Sequence, residues 1–114
     1  IKIFILNNEW MGMVRQWQEF FFDSRYSHSY VDALPDFCKL AESFGHVGMQ
    51  VTDPADLEDA YREAFAQKDR LVFMDIVVDP SENVYPMIAA GKGHHELHLS
   101  PNLTTERELA CGSD

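Results

Sequence analysis

Two neighbouring asparagines, Asn7 and Asn8, are the residues of this sequence best placed to meet a ligand. They directly follow the nearly unbroken apolar run over 1–6, which is typical of a strand buried on both faces, as in a parallel sheet. Gly12 follows before a helical pattern begins. Ligands of open α/β sheets bind outside the carboxyl ends of strands, where the chain leaves the sheet for a helix. We therefore expect a polar ligand to be met at Asn8.

Two interpretations of the asparagine pair stay open on spacing alone. Asparagine tolerates turn conformations and its side chain bonds its own backbone, so the pair could simply form a turn. Alternatively, the amide oxygen of Asn8 could hold a hard cation such as Mg²⁺, which takes oxygen ligands and is completed by carboxylates, phosphates and water. In that case backbone N–H groups around Met11–Met13 could face phosphate oxygens.

Apolar residues recur at near-helical spacing after Gly12, which predicts an amphipathic helix. The stripe consists of Met13, Val14, Trp17, Phe20 and Phe21. Stripes of this kind usually pack into a core, and this is our interpretation of Phe20 and Phe21. Met13 and Trp17 differ because they lie at the helix start, nearest the ligand end of the first strand.

Two further helices and two further strands are predicted downstream. Pro35 opens a helix at its tolerated first position and Gly45 ends it. Asp53 caps the next helix. Short apolar runs at 47–51 and 71–78 predict strands.

The order of these elements, β-α-α-β-α-β, requires parallel strands joined by right-handed crossovers. We predict an α/β fold, a partial doubly wound parallel sheet over 1–80, followed by a mostly irregular C-terminal tail over 81–114. Because the chain begins at Ile1, already inside a strand, we expect a fragment that lacks the first strands of its sheet. Asp75 interrupts the last strand and, if buried, needs a partner.

Composition argues against several classes of partner. The chain has 114 residues and a net charge of −10, which repels nucleic acid and anionic membrane surfaces. It has no apolar run of about 18 residues, the length that a membrane span needs. Cys38 and Cys111 lie far apart without a Cys-x-x-Cys pattern, so we expect free thiols in a reducing cytosol.

Three motifs make the sequence resemble a known enzyme family. They are Ile5-Leu6-Asn7-Asn8 followed after three residues by Gly12-Met13-Val14-Arg15-Gln16-Trp17, then Arg25-Tyr26-Ser27-His28, and Pro35-Asp36-Phe37-Cys38-Lys39-Leu40-Ala41-Glu42. From Ile1 to about Glu96 the chain resembles the catalytic large subunit of acetolactate synthase, in the C-terminal part of its thiamine diphosphate-binding domain. In that family the asparagine pair closes the thiamine diphosphate motif, whose Gly-Asp-Gly opening lies upstream.

The resemblance implies a cofactor site at the end of the first strand. Asn8 would ligate Mg²⁺ through its side-chain oxygen, and Trp10 would do so through its backbone carbonyl. Met11, Gly12 and Met13 would border the diphosphate of the cofactor.

The resemblance also implies a pocket for substrate and for sulfonylurea-type or imidazolinone-type inhibitors, lined by Met13, Val14 and Trp17. A large indole there can shape a pocket for a short aliphatic keto acid without supplying proton chemistry. No catalytic residue is expected in this chain, because the glutamate that activates the thiamine ring and the aspartate of Gly-Asp-Gly both lie outside it.

The implied function is that of a thiamine diphosphate-dependent transferase of branched-chain amino acid biosynthesis. Pyruvate condenses with pyruvate or 2-ketobutyrate, with loss of CO₂, and the cofactors are thiamine diphosphate, Mg²⁺ and FAD, the last bound outside this chain. The resemblance implies a cytoplasmic, bacterial-type homodimer or higher oligomer with a regulatory small subunit as a further partner. The 114 residues alone are expected to be inactive.

Two alternatives to this function stay open. The first is another thiamine diphosphate-dependent carboligase or decarboxylase. The second is a non-catalytic α/β oligomerisation domain, in which Asn7 and Asn8 only form a turn.

Overall fold

The structure is a computed structural model that describes residues 1–101, so Cys111 lies outside the described part of the chain. The first of its two units, Ile1–Glu82, contains β1 (Lys2–Asn7), α1 (Gly12–Phe21), α2 (Phe37–Ser43), β2 (Val47–Val51), a 3₁₀ turn (Pro54–Asp56), α3 (Leu57–Ala66) and β3 (Val72–Val77). This order confirms the predicted α/β fold. No helix within residues 1–101 is long and apolar enough to cross a membrane.

The three strands of this unit form a parallel sheet in the order β1-β3-β2. β3 is therefore the central strand, although it comes last in the chain. Asn7 at the end of β1 pairs with Val77, and Val51 at the end of β2 pairs with Ile76, so all three strands end at one edge of the sheet. The predicted parallel arrangement is confirmed.

The face of the sheet toward α3 carries the main hydrophobic core. Alternate residues of β3, Val72, Met74 and Ile76, are buried there with Val51 of β2 and Ala64 of α3. Burying an aliphatic side chain of this size contributes roughly 1.5–3 kcal/mol. This layer therefore holds β3 and the strand end of β2 in place.

Helix α2 packs on the opposite side of β2 and β3. Phe37 at its start stacks on Phe73 of β3, with ring centroids 5.7 Å apart. Gly48 of β2 allows this close approach, because a Cβ at that position would lie 2.4 Å from the Cα of Cys38. The helix can therefore approach the strand only where the strand has no side chain.

Asp75 shares the α2-facing side of β3 with Phe73 and is only 4% exposed. Gln50 of the neighbouring strand donates from Nε2 to Asp75 Oδ2 over 3.0 Å. Gln50 is thus the partner that a buried carboxylate needs. Asp75 Oδ1 has no hydrogen-bond partner among the described residues.

The ends of α2 differ in part from the predicted ones. The helix begins at Phe37, and Asp36 caps it by accepting from the backbone N–H of Lys39 over 2.9 Å. The prediction that Pro35 is the first helical residue is wrong. Asp36 is the N-cap instead, because its carboxylate accepts from a backbone N–H that has no partner within the helix, so the helix starts after it. Gly45, with φ +75°, follows the helix as predicted.

β1 is less buried than its apolar run predicts. Leu6 is 70% exposed, and the described residues place a neighbouring strand on one side of β1 only. All residues of β1 except Leu6 are half-buried, so the described residues cover the strand on both faces but less fully than expected. The apolar run is better explained by half-burial against β3 and α3, where Phe4 packs edge-on against Tyr61 at 5.1 Å.

The second unit begins at Asn83 and contains a short antiparallel ladder that the predicted irregular tail did not include. β4 (Met87–Ile88) pairs with β5 (Leu97–His98). In the connection, Lys92 Nζ and the backbone N–H of Gly93 both donate to the Glu96 carboxylate. Two-residue strands carry too little periodicity to be recognised in a sequence.

Replacing Gly48 by alanine is expected to lower the free energy of unfolding by about 3 kcal/mol, because the new Cβ would collide with the α2 backbone at Cys38. Urea unfolding of the chain measures this change. Gly45→Ala is the matched control: it has open space around the Cβ but a left-handed backbone, and should cost about 1 to 2 kcal/mol. An equal or smaller loss for Gly48→Ala would contradict the close contact.

Candidate functional site

The asparagine pair forms two consecutive side-chain-to-backbone turns at the end of β1. Asn7 Oδ1 accepts from the N–H of Glu9 over 3.0 Å, and Asn8 Oδ1 accepts from the N–H of Trp10 over 3.1 Å. Glu9 takes a left-handed conformation with φ +59°. The turn interpretation of the pair is thus realised. Asn8 Oδ1 can still bind a further ligand, because an amide oxygen has a second lone pair.

The loop around Ser29–Val31 returns to this turn and is hydrogen-bonded to it. The N–H of Met11 donates to the carbonyl of Ser29 over 2.8 Å, and the N–H of Val31 donates to the carbonyl of Glu9 over 2.9 Å. These two bonds flank an antiparallel bridge between Trp10 and Tyr30. Trp10 itself contributes neither its N–H nor its carbonyl to the bridge, so both groups point away from the loop.

The donor atoms at this turn suit a hard cation in kind but not in number. Asn8 and Trp10 offer two neutral oxygens, the ligand type that Mg²⁺ prefers. Gly12 keeps space open beside them, because a Cβ there would lie 3.3 Å from Asn8 Nδ2. Within residues 1–101 no group of three or more His, Cys, Asp or Glu could hold a metal. The residues therefore fit Mg²⁺ only if phosphates and further ligands complete the coordination.

The predicted pocket residues lie together on α1. Met13, Val14 and Trp17 line one cavity of about 720 Å³, together with Gln18, Phe22, Arg25 and Ser27. Trp17 is 41% exposed and meets Phe21 edge-on with ring centroids 5.4 Å apart. The cavity wall is mostly apolar, and Arg25 is the one charged residue that lines it within residues 1–101. Met11 and Gly12 lie at the start of α1 and are not among the lining residues.

The loop after α1 is fixed by side chains that sequence patterns did not single out. Gln18 donates from Nε2 to the Ser27 carbonyl over 2.9 Å, and the buried Ser29 donates from Oγ to Gln18 Oε1 over 2.6 Å. Tyr26 and Tyr30 both pack on the indole of Trp10. Their clustering depends on the loop returning to the turn, which leaves no periodic signal in the sequence.

A second cavity, of about 450 Å³, lies beside the strand ends on the α2 side. Its lining includes Asn7, Cys38, Gln50 and the buried Asp75. Burial raises the pKa of the Cys38 thiol above its usual value, and nearby carboxylates act in the same direction. Cys38 is a free thiol, as predicted, and its raised pKa makes it a poor nucleophile.

A family model shows the class of domain to which the chain belongs. Residues 1–76 match the family model described as thiamine pyrophosphate enzyme, C-terminal TPP binding domain. The chain belongs to this family, and its predicted relation to thiamine diphosphate (pyrophosphate) enzymes is confirmed.

Three relatives are large subunits of acetolactate synthase, one of them named as isozyme 3. The chain is 50% identical over 100 residues to the acetolactate synthase large subunit of Haemophilus influenzae, covering 88% of this chain and 18% of that protein. It is 50% identical over 97 residues to the acetolactate synthase isozyme 3 large subunit of Escherichia coli, covering 83% and 17%. The corresponding protein of Cyanidium caldarium is 47% identical over 107 residues, covering 92% and 18%. The chain thus spans less than a fifth of the length of these relatives.

The contact between Tyr30 and Glu9 should make the stability of the turn depend on pH. The Tyr30 hydroxyl donates to Glu9 Oε2 over 3.2 Å, and the negative charge of Glu9 raises the pKa of Tyr30 above its usual 10.0. Because the folded-state pKa is raised, the stabilisation is complete below the pKa of the unfolded tyrosine and is lost as pH rises through the folded-state pKa. Glu9→Gln should therefore lower the pKa of Tyr30, as followed by tyrosinate absorbance.

The control for this titration is Glu58→Gln, which removes a carboxylate paired with Arg62 on α3. It changes the net charge of the chain by the same amount but lies outside the turn. The Tyr30 titration should stay as in the unsubstituted chain. An equal shift in both variants would mean that general charge, rather than the Glu9 contact, sets this pKa.

Proposed function

We propose that this chain is the cofactor-anchoring part of an acetolactate synthase large subunit. In the whole protein, pyruvate would condense with pyruvate or 2-ketobutyrate with loss of CO₂, in branched-chain amino acid biosynthesis. Thiamine diphosphate, when bound, supplies the electron sink for this carbon–carbon chemistry. Family membership and the shared name of relatives about 50% identical support the proposal.

The observation that carries the proposal is the geometry of the turn after β1. Asn8 and Trp10 present oxygen atoms beyond the carboxyl end of a parallel strand, which is where α/β sheets bind ligands. Asn8 would hold Mg²⁺ through Oδ1, and Trp10 would hold it through its backbone carbonyl. Met11, Gly12 and Met13, at the beginning of α1, would border the diphosphate, where helix N–H groups favour anions.

The 2-keto acid substrate would bind in the cavity on α1. Met13, Val14 and Trp17 form an apolar wall that would orient a short aliphatic 2-keto acid and exclude water from it. These residues carry no group that moves a proton at neutral pH. Their part in the reaction would be binding and selection, while residues outside this chain perform proton transfer.

The remaining features of the proposed enzyme follow from the same resemblance. FAD would bind outside this chain, and the subunit would work in the cytoplasm as a homodimer or higher oligomer, with a regulatory small subunit as partner. The 114 residues alone would not turn over pyruvate.

Asn8→Ala in the complete large subunit should weaken Mg²⁺-dependent binding of thiamine diphosphate by about tenfold or more, because a ligand oxygen is lost. Calorimetric titration of the cofactor at fixed Mg²⁺ measures this. Loss of acetolactate formation should accompany it. The alternative of a non-catalytic module predicts no heat of binding even without the substitution.

Asn7→Ala is the matched control for Asn8→Ala. It removes the neighbouring turn bond to Glu9 but none of the proposed ligand atoms. Cofactor affinity should stay close to that of the unsubstituted protein. Equal weakening by both substitutions would show that the pair acts only as a turn, and the cation role of Asn8 would be abandoned.

Trp17→Leu should shift the preference between 2-ketobutyrate and pyruvate as second substrate, and the sensitivity to sulfonylurea-type inhibitors. The indole forms part of the wall of the 720 Å³ cavity, and its replacement enlarges that space. Competition between the two keto acids, read as the ratio of the two products, measures the shift. A change of a methylene in such a pocket is worth about 1 to 3 kcal/mol in discrimination.

The control for Trp17→Leu is Phe65→Leu, which alters an exposed aromatic on α3, away from the cavity. This variant should keep both the product ratio and the inhibitor sensitivity. If Trp17→Leu also left both unchanged, its place in the substrate pocket would be refuted.

A further inference from the structure

The direction of the Trp10 carbonyl is set by the peptide bond that Trp10 shares with Met11. A peptide unit is planar, and in its trans form the carbonyl and the N–H point in opposite directions. The N–H of Met11 donates to the carbonyl of Ser29 over 2.8 Å. The Trp10 carbonyl therefore points away from Ser29, and whatever fixes the Ser29 carbonyl also fixes the direction of the Trp10 carbonyl.

The side chain of Ser29 attaches that part of the loop to α1. Ser29 is only 1% exposed, and its Oγ donates to Gln18 Oε1 over 2.6 Å. The other end of the same amide, Gln18 Nε2, donates to the carbonyl of Ser27 over 2.9 Å. Gln18 thus uses both ends of its amide to hold the loop at two points, and a buried hydroxyl that loses its partner costs free energy.

The backbone bonds of the loop act on a different part of the chain. The N–H of Val31 donates to the carbonyl of Glu9 over 2.9 Å, so this bond and the bond from Met11 join the loop to the turn after β1. The Gln18 bonds instead join the loop to the body of α1. The Ser29 carbonyl is therefore held relative to both the turn and the helix.

We propose that Ser29 and Gln18 are positioning residues for the cation site, acting through the Ser29 carbonyl on the peptide between Trp10 and Met11. This inference rests on the proposed function, in which the Trp10 carbonyl ligates Mg²⁺. Neither side chain supplies a ligand atom, because the Ser29 hydroxyl and the Gln18 amide bond each other and the loop. Partners of this kind orient a metal ligand, and their removal lowers metal affinity.

Ser29→Ala in the complete large subunit removes the hydroxyl and leaves the backbone of the loop unchanged. Mg²⁺ binding in the presence of thiamine diphosphate should weaken by about tenfold, because the Trp10 carbonyl is no longer held in one direction. Calorimetric titration with Mg²⁺ measures this. Ser43→Ala is the matched control, since it removes a serine hydroxyl that donates to the Leu40 carbonyl on α2, and it should leave the Mg²⁺ affinity unchanged.

Hydrogen exchange without ligands separates positioning from a general loss of structure. The amide N–H of Met11 should exchange faster in Ser29→Ala, because its acceptor is no longer fixed. Peptides that cover β3 should keep their protection, and a loss there as well would show that Ser29 is only structural. Faster exchange at Met11 with unchanged Mg²⁺ affinity would overturn the proposal, and so would weaker Mg²⁺ binding with unchanged exchange at Met11.

Asn8→Ala, measured in parallel, separates this inference from the proposed function. If Asn8→Ala weakens Mg²⁺ binding and Ser29→Ala does not, only the positioning role fails. If neither does, the proposed function fails as well. Should Ser29→Ala not fold, Gln18→Met replaces it, since this variant removes the acceptor of the Ser29 hydroxyl and keeps the length of the side chain. Unchanged Mg²⁺ affinity in Gln18→Met would then refute the positioning role.

Discussion

The parallel ladder between β1 and β3 determines where the residues of the candidate site lie. Pairing runs from Lys2 with Val72 to Asn7 with Val77, so the chain leaves the sheet at Asn8. β2 ends at the same edge through its pairing with β3. A shift of the ladder by one residue would turn the buried face of β3 toward α2 and would move Asn8 relative to the strand ends.

The turn after β1 stores a small strain that the surrounding bonds offset. A left-handed backbone at a residue such as Glu9 costs about 1 to 2 kcal/mol. Both backbone groups of Glu9 are satisfied, because its N–H donates to Asn7 Oδ1 and its carbonyl accepts from Val31. A strained residue persists where its neighbours over-determine it, and such positions cluster at functional sites.

The sequence predicted the fold well because its signals are periodic and local. Apolar runs marked all three strands of the sheet, and Gly45 marked the end of α2. Asp53 caps the 3₁₀ turn that precedes α3 rather than α3 itself, whose first residue follows Asp56. The positions of Met13 and Trp17 on one helix face followed from helical spacing. Periodicity did not reveal the aromatic enclosure of Trp10 or the bridge to the loop, because both join residues whose proximity only the folded chain creates.

The order of strands in the sheet has a consequence for synthesis. β1 emerges from the ribosome before β2 and β3, yet in the described sheet its hydrogen-bonding neighbour is β3, the last of them. In the nascent polypeptide, the apolar segment of β1 therefore stays unpaired with β3 until nearly all of the first unit has been translated. Such a delay leaves this segment exposed to chaperones and to wrong partners.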